Sequence, residues 1–163
     1  QWHNKAISTM AKLVIVKGRR ADRFDPDASI TRAEFAAICA RFSTKPVENS
    51  GSFSDISGHW AEAEIKRAAA LGWIAGYPDG TFRPNDYITR AQAMTMINRV
   101  LCRMPQDEED LLGSMVVWPD NKPTDWHYLA VQEATNSHDF KRKGEVGEKW
   151  TKLTSAPDWT KYQ

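Results

Sequence analysis

Cysteine is nearly absent from this chain of 163 residues: only Cys39 and Cys102 occur. Each lies in an apolar run of helical period, so no disulfide framework or zinc cluster is on offer, and both are expected as buried thiols acting as small hydrophobes. Charge of one sign is lacking as well. Lys plus Arg number 22 against 21 Asp plus Glu, which leaves no net field to draw nucleic acid or an acidic membrane. No apolar run reaches the length of a membrane span, and no secretory signal opens the chain. The first residues already read as the inside of a helix and Met does not begin the sequence, as in an excised or processed piece of a longer protein, so the missing signal says nothing against export.

Catalytic sets are missing too. His3, His59, His127 and His138 are dispersed, and an enzyme needs a nucleophile with a base, or a carboxylate pair, gathered in one place. His59 and His127 each adjoin a tryptophan, where packing is expected. Asp79 before Gly80 resembles a fragment of a calcium loop, but the other oxygen ligands at short spacing are absent. The acidic run from Gln106 to Asp110 reads as a solvated linker. The expectation is therefore no catalysis, no metal and no cofactor.

What is present is a normal globular balance, 41% hydrophobic and 26% charged, with a surplus of seven tryptophans. Trp marks ligand grooves as well as cores; as plugs of small repeated units, most of the seven are expected in cores. Self-similarity supports such units. Trp2 and Ile7 align with Trp60 and Ile65, and one ungapped register carries on through Leu13 over Leu71, Gly18 over Gly76, Phe24 over Phe82 and Pro26 over Pro84. It ends with Ile30-Thr31-Arg32-Ala33 over Ile88-Thr89-Arg90-Ala91. A third copy opens at Trp118-Pro119-Asp120 and Trp126, with Val131 and Ala134 matching Ile65 and Ala68, and then fades.

Each copy reads as helix, turn, helix. The first helix of the second copy is predicted from Trp60 to Leu71, with Trp60, Ile65, Ala68, Ala69 and Leu71 on one face and Gly72 as a left-handed cap. Tyr77-Pro78-Asp79-Gly80 is a turn: Pro presets φ and Gly accepts a positive one. Thr31-Arg32-Ala33-Glu34 has the form of a capping box, stapled by Ile30 and Phe35, and Thr89-Arg90-Ala91-Gln92 repeats it. The second helices are expected to bury Phe35, Ile38, Cys39 and Phe42, and Met96, Ile97 and Val100. Helix physics explains every residue of these motifs except Arg32 and Arg90, because a cation beside a helix N-terminus opposes the macrodipole. Free first-turn amides with a guanidinium fork make an anion site. The alternative is an Arg that pairs with a neighbouring Asp or a buried carbonyl.

Phe53-Ser54-Asp55, His59-Trp60-Ala61, Gly72-Trp73-Ile74, Gly76 to Pro84 and Ile88 to Gln92 resemble one full S-layer homology repeat. The first copy departs from the pattern by carrying Arg19 to Arg23 in place of the Tyr-Pro-Asp-Gly-Thr loop, and the third has no Thr-Arg-Ala-Glu. The resemblance implies a mainly α fold of three helix-turn-helix repeats, residues 1–46, 47–106 and 107–163, about a pseudo-threefold axis with short loops or strands between helices. It also implies grooves that hold an anionic cell-wall polysaccharide linked to peptidoglycan, often pyruvylated, at the bacterial surface. Carried over, Arg32 and Arg90 would bind the anion, Asp55, Asp120, Trp60 and Trp126 would line the grooves, and Gly76 would allow close approach of sugar. Lys141-Arg142-Lys143 reads as a solvated loop that could stand in for the missing third Arg. The tail from Gly144, with Trp150, Pro157 and Trp159, reads as a degenerate second helix and a strap. Nucleic acid and membrane insertion are not expected, while self-association of a surface-layer subunit is the rival role.

Overall fold

Helices follow the capping signals, and the copies end differently. The structure is a computed structural model that describes residues 4–20, 22–48, 52–156 and 158; Trp2, Pro157 and Trp159 lie outside these. Its elements are α1 (Asn4–Lys12), α2 (Arg32–Ala40), α3 (Glu62–Ala70), α4 (Arg90–Val100), a 3-10 turn (Glu108–Asp110), α5 (Tyr128–Thr135), β1 (His138–Lys143) and β2 (Gly147–Leu153). They fall into two units, one running to Ile88 and the other from Thr89 to Asp158. No helix among the described residues is long and apolar enough to cross a membrane.

In the first unit, Thr31 is extended, its hydroxyl accepts from the Glu34 amide, and Glu34 reaches back to the Thr31 amide, so the capping box is complete. α2 then packs on α3. Its buried face is made of small residues, Ala33, Ala36, Ala37 and Ala40, against Ile65 and Ala68 of α3. Small side chains let the two backbones approach closely, and burying Ile65 completely contributes about 2–3 kcal/mol. The far end of α2 is closed from α3: Arg67 donates to the carbonyls of Ser43 and Lys45, each at 2.7 Å. Gly72, at φ 72°, ends α3 in the left-handed conformation expected of it.

The second unit repeats the design with α4 and α5. Thr89 and Gln92 form the second capping box. Met96 is buried as expected, and Asn98 is buried beside it, donating to the Ala130 carbonyl of α5 at 2.9 Å. Leu111, Tyr128 and Trp150 form a core with Leu112, Met115, Leu129 and Leu153 around it.

Several sequence expectations are corrected. Phe42 lies beyond the last turn of α2, and Ile97 sits one residue round from Met96; both are exposed. Trp60 precedes α3 rather than joining its apolar face, and of the tryptophans among the described residues only Trp150 is buried, at 2% exposure. Cys39 is buried, as expected, and burial pushes its thiol up to about 11, whereas Cys102 is only half-buried. The third copy has no second helix: residues 138–153 form an antiparallel hairpin in which Phe140 pairs with Trp150. Alternation with period two drives that outcome, since His138 and Phe140 on one strand and Glu148 and Trp150 on the other share a face. Lys141-Arg142-Lys143 therefore belongs to a strand, not a solvated loop. The acidic run is solvated from Gln106 to Glu109, as expected, but not at its last residue. Asp110 is buried and held below the usual carboxylate range, where burial is outweighed by Lys143 at 2.9 Å and by the Gln106 amide.

Candidate functional site

The two arginines singled out in sequence meet different fates. Arg32 opens α2 and is 3% exposed. Its Nε donates to the Phe82 carbonyl at 2.8 Å, a terminal nitrogen lies 3.5 Å from the Ala75 carbonyl, and the guanidinium stands 4.6 Å over the Phe82 ring and 4.9 Å over that of Tyr77. Burial pushes its pKa below the ordinary arginine value, against the pull of Tyr77 and Asp86. The helix start beside it is closed as well. The Arg32 amide donates to Asp86 and the Ala33 amide to Pro84, at 2.8 and 3.0 Å. Here the alternative role, an Arg committed to buried carbonyls, is the one the geometry displays.

Arg90 opens α4 in the same motif but is exposed. Among the described residues neither its side chain nor its amide has a hydrogen-bond partner, so the guanidinium and the first-turn amide beside it are open to an anion.

Asp55 and Gly76 gather round the same loop as Arg32. The Asp55 carboxylate accepts from the amides of Phe82 and Arg83 at 2.8 and 2.7 Å. Burial acts to raise its pKa, and these two amides outweigh that and hold it below the usual range. A Cβ on Gly76 would lie 2.5 Å from Cε1 of Phe53 and 2.6 Å from the Thr81 carbonyl. Glycine is thus required at that position by the Phe53 ring, which itself packs on Phe82 at 5.4 Å. Inside the loop, Gly80 takes φ 80° and Asp79 accepts from the Thr81 amide at 3.0 Å, the turn the sequence predicts. Arg32, Asp55 and Gly76 are therefore brought together, as a clamp on residues 75–84.

Trp60 lies apart from that clamp, 62% exposed, on a groove of ≈ 1010 Å³ within the first unit. Facing it are Phe24, Ile30, Glu64, Arg19 and Tyr87, the last 69% exposed. Arg19 is paired with Glu34 at 2.9 Å. Exposed aromatic faces beside charged hydrogen-bonding groups suit a polar ligand with flat apolar patches. In the third copy, Trp126 is 69% exposed and meets His127 edge-on at 5.2 Å. Asp120 is exposed and, among the described residues, caps no loop. No hydrogen bond or ion pair among those residues ties either one to Arg90.

Sequence reading missed one constellation. Glu133 of α5, His138 of β1 and Glu148 of β2 are wholly buried side chains, and Arg103 reaches in from beyond α4. His138 Nδ1 lies 2.7 Å from the Asn136 carbonyl, so it carries a proton. Nε2 faces Glu148 at 2.9 Å and Glu133 at 3.3 Å. Arg103 stands 2.7 Å from Glu133, Trp150 donates to Glu133 at 2.8 Å, and the His138 ring stacks on Trp150 at 4.1 Å. The three acid and imidazole ligand atoms lie within 4.8 Å of one another, a set that could hold a cation; Arg103 already sets a positive charge beside the two carboxylates. Its members come from four separate stretches of chain, and only the strand alternation of His138 and Glu148 hinted at it.

Comparison with known proteins bears on this geometry directly. The S-layer homology domain model matches residues 1–36 and 52–94, which hold both capping motifs, the clamp loop and Trp60. The chain belongs to the S-layer homology family. Its S-layer homology relatives include cell surface glycoprotein 1 of Acetivibrio thermocellus, 34% identical over 93% of this chain and 7% of that protein. The cellulosome-anchoring protein of the same organism is 36% identical over 86% of this chain and 32% of its own length. The outer membrane protein SlpA of Thermus thermophilus is 50% identical over 50% of this chain and 9% of its own. This chain thus spans a small part of the curated relatives it matches. The hairpin lies beyond the segments that match the S-layer homology model.

Proposed function

We propose that this chain is a non-catalytic anchoring module that holds a bacterial protein at the cell surface by gripping an anionic, pyruvylated wall polysaccharide. Support comes from membership of the S-layer homology family, from relatives named for anchoring and for the cell surface, and above all from Trp60. A tryptophan 62% exposed on a groove that also holds Tyr87 and Arg19 is costly to leave in water without a ligand to cover it. In this reading Trp60 and Tyr87 stack on sugar rings in the groove of the first unit, and Arg90 with the open start of α4 takes a carboxylate in the second. Arg32, Asp55 and Gly76 shape the site by holding the loop. Asp120 and Trp126 serve the third repeat, and repeats 1–46, 47–106 and 107–163 stand about a pseudo-threefold axis.

Co-sedimentation tests this. The chain should pellet with wall sacculi that carry their secondary polymer and stay in solution with sacculi stripped of it. Trp60→Ala, at an exposed site, should abolish pelleting without lowering the melting midpoint. Equal pelleting of the variant would remove the groove from the proposal.

A second reading, self-association of a surface-layer subunit, is favoured by Val116, Val117, Trp118 and Trp126, all exposed. Sedimentation velocity decides it: a concentration-dependent dimer lost in Val117→Asp supports it, and a monomer at every concentration rules it out.

A further inference from the structure

The hairpin that replaces the third repeat's second helix has a face no part of the foregoing explains. Its inner face is filled by His138, Glu148 and Trp150. Strand alternation sends Asp139 and Lys141 to the other side. There Lys141 is the direct cross-strand partner of Lys149. An irregularity in register between Asp139 and Phe140 leaves Thr151 unpaired and brings Lys152 opposite Asp139. All three lysines are exposed.

Like charges directly opposite one another weaken a strand pair. The chain relieves its other hairpin cations: Arg142 donates to the Cys102 carbonyl, and Lys143 pairs with Asp107 and Asp110. Among the described residues Lys141, Lys149 and Lys152 have no ion pair, although Asp139 stands across from Lys152 and Glu145 lies exposed in the adjoining turn. Burial of the inner face holds this uncompensated pair in place, so the repulsion is kept rather than relaxed. A group of ammonium groups without ion pairs, set on a paired hairpin in a chain of formal net charge +1, is a local feature, too small for a nucleic-acid footprint and suited to a linear polymer bearing spaced carboxylates or phosphates.

We propose that the outer face of this hairpin, Lys141, Lys149 and Lys152, is a further contact surface for the anionic wall polymer, distinct from the grooves of the matched repeats. It rests on the anchoring function proposed above and supplies the third repeat, which has no Thr-Arg motif, with a different way of meeting the same ligand.

The test uses the whole chain and polymer-bearing wall fragments, with binding followed by depletion at low and high salt. Lys149→Glu should raise the melting midpoint, because it turns a repulsive cross-strand pair into an attractive one. It should also weaken binding by about fivefold or more and flatten the salt dependence. Changing Lys141, Lys149 and Lys152 together to Ala should weaken binding further, and Lys12→Ala, which removes a charge from α1, should leave it unchanged. Wild-type affinity and salt dependence in the Lys149→Glu and triple variants would overturn the hairpin surface while leaving the anchoring function intact. Failure of the unaltered chain to bind polymer-bearing fragments would overturn both.

Discussion

The pairing of α2 with α3 and that of α4 with α5 start alike and are locked by different chemistry. In both, a Thr-capped helix packs on the first helix of the following copy. Over α2 the following copy lays the loop of residues 75–84, fastened by Arg32 to carbonyls and by Asp55 to amides. Against α5 the chain lays the hairpin instead, fastened by Arg103, Glu133, His138 and Glu148. The lesson is that an Arg at the head of the motif is not by itself left open. It becomes a clamp when the next copy brings its loop and stays open when that loop is missing, as for Arg90.

The largest effect should come from the hairpin lock. Glu133→Ala takes from Arg103 its 2.7 Å partner, leaves the buried His138 with Glu148 alone and the buried Trp150 indole N–H without an acceptor, and should cost about 3–5 kcal/mol of stability. Urea unfolding followed by Trp fluorescence measures this, and a loss under about 1 kcal/mol would show that the cluster is not a lock. Arg32→Ala should come next, at about 2–4 kcal/mol, since two carbonyls and two aromatic faces lose their partner. Arg32→Lys should recover little of that, because an ammonium cannot reproduce the planar fork between the rings.

The two locks should also part company with pH. Burial acts to lower the pKa of His138, but Glu133 and Glu148 hold it above its ordinary 6.5. Its contribution is therefore full below that value and is lost as pH rises through the higher folded one. Glu148 is raised, first by burial, and acts in the same sense. Burial pushes Glu133 up, yet His138 and Trp150 prevail and lower it; its contribution is lost as pH falls through the folded value. The α4–α5 unit should therefore be most stable in mildly acidic solution and weaken as pH rises through the folded pKa of His138, whereas the arginine clamp stays charged throughout. His138→Gln should erase the alkaline limb, and an unchanged pH profile in that variant would assign the titration elsewhere.

Local signals were legible in sequence and long-range ones were not. Both capping boxes, the Gly72 cap and the Gly80 turn follow from residues a few positions apart, and each formed as expected. Arg32 shows the limit. Its spacing is identical to that of Arg90, and the carbonyls that claim it lie in a loop more than forty positions away. Trp60 misled for a related reason: the helix starts at Glu62, just past the tryptophan, so a periodicity count placed on an apolar face a residue that stands in solvent. The hairpin was hidden because a short run with three cations looks solvated until Trp150 and Glu148 supply the other side of its alternation.

The smaller effects separate capping from binding. Thr31→Val and Thr89→Val should each cost about 1 kcal/mol, because the two boxes have the same geometry and their loss exposes the same first-turn amides. Arg90→Ala should cost nothing measurable in stability, within about 0.5 kcal/mol, and removal of a cation from a helix N-terminus could only help. Its effect belongs in the pelleting assay, where loss of the open guanidinium should weaken attachment to polymer-bearing walls while the midpoint holds. If Arg90→Ala melts early instead, the two arginines are both clamps and the contrast between the locks disappears. If it melts normally and still binds walls, the anion is received elsewhere, with the hairpin lysines first in line.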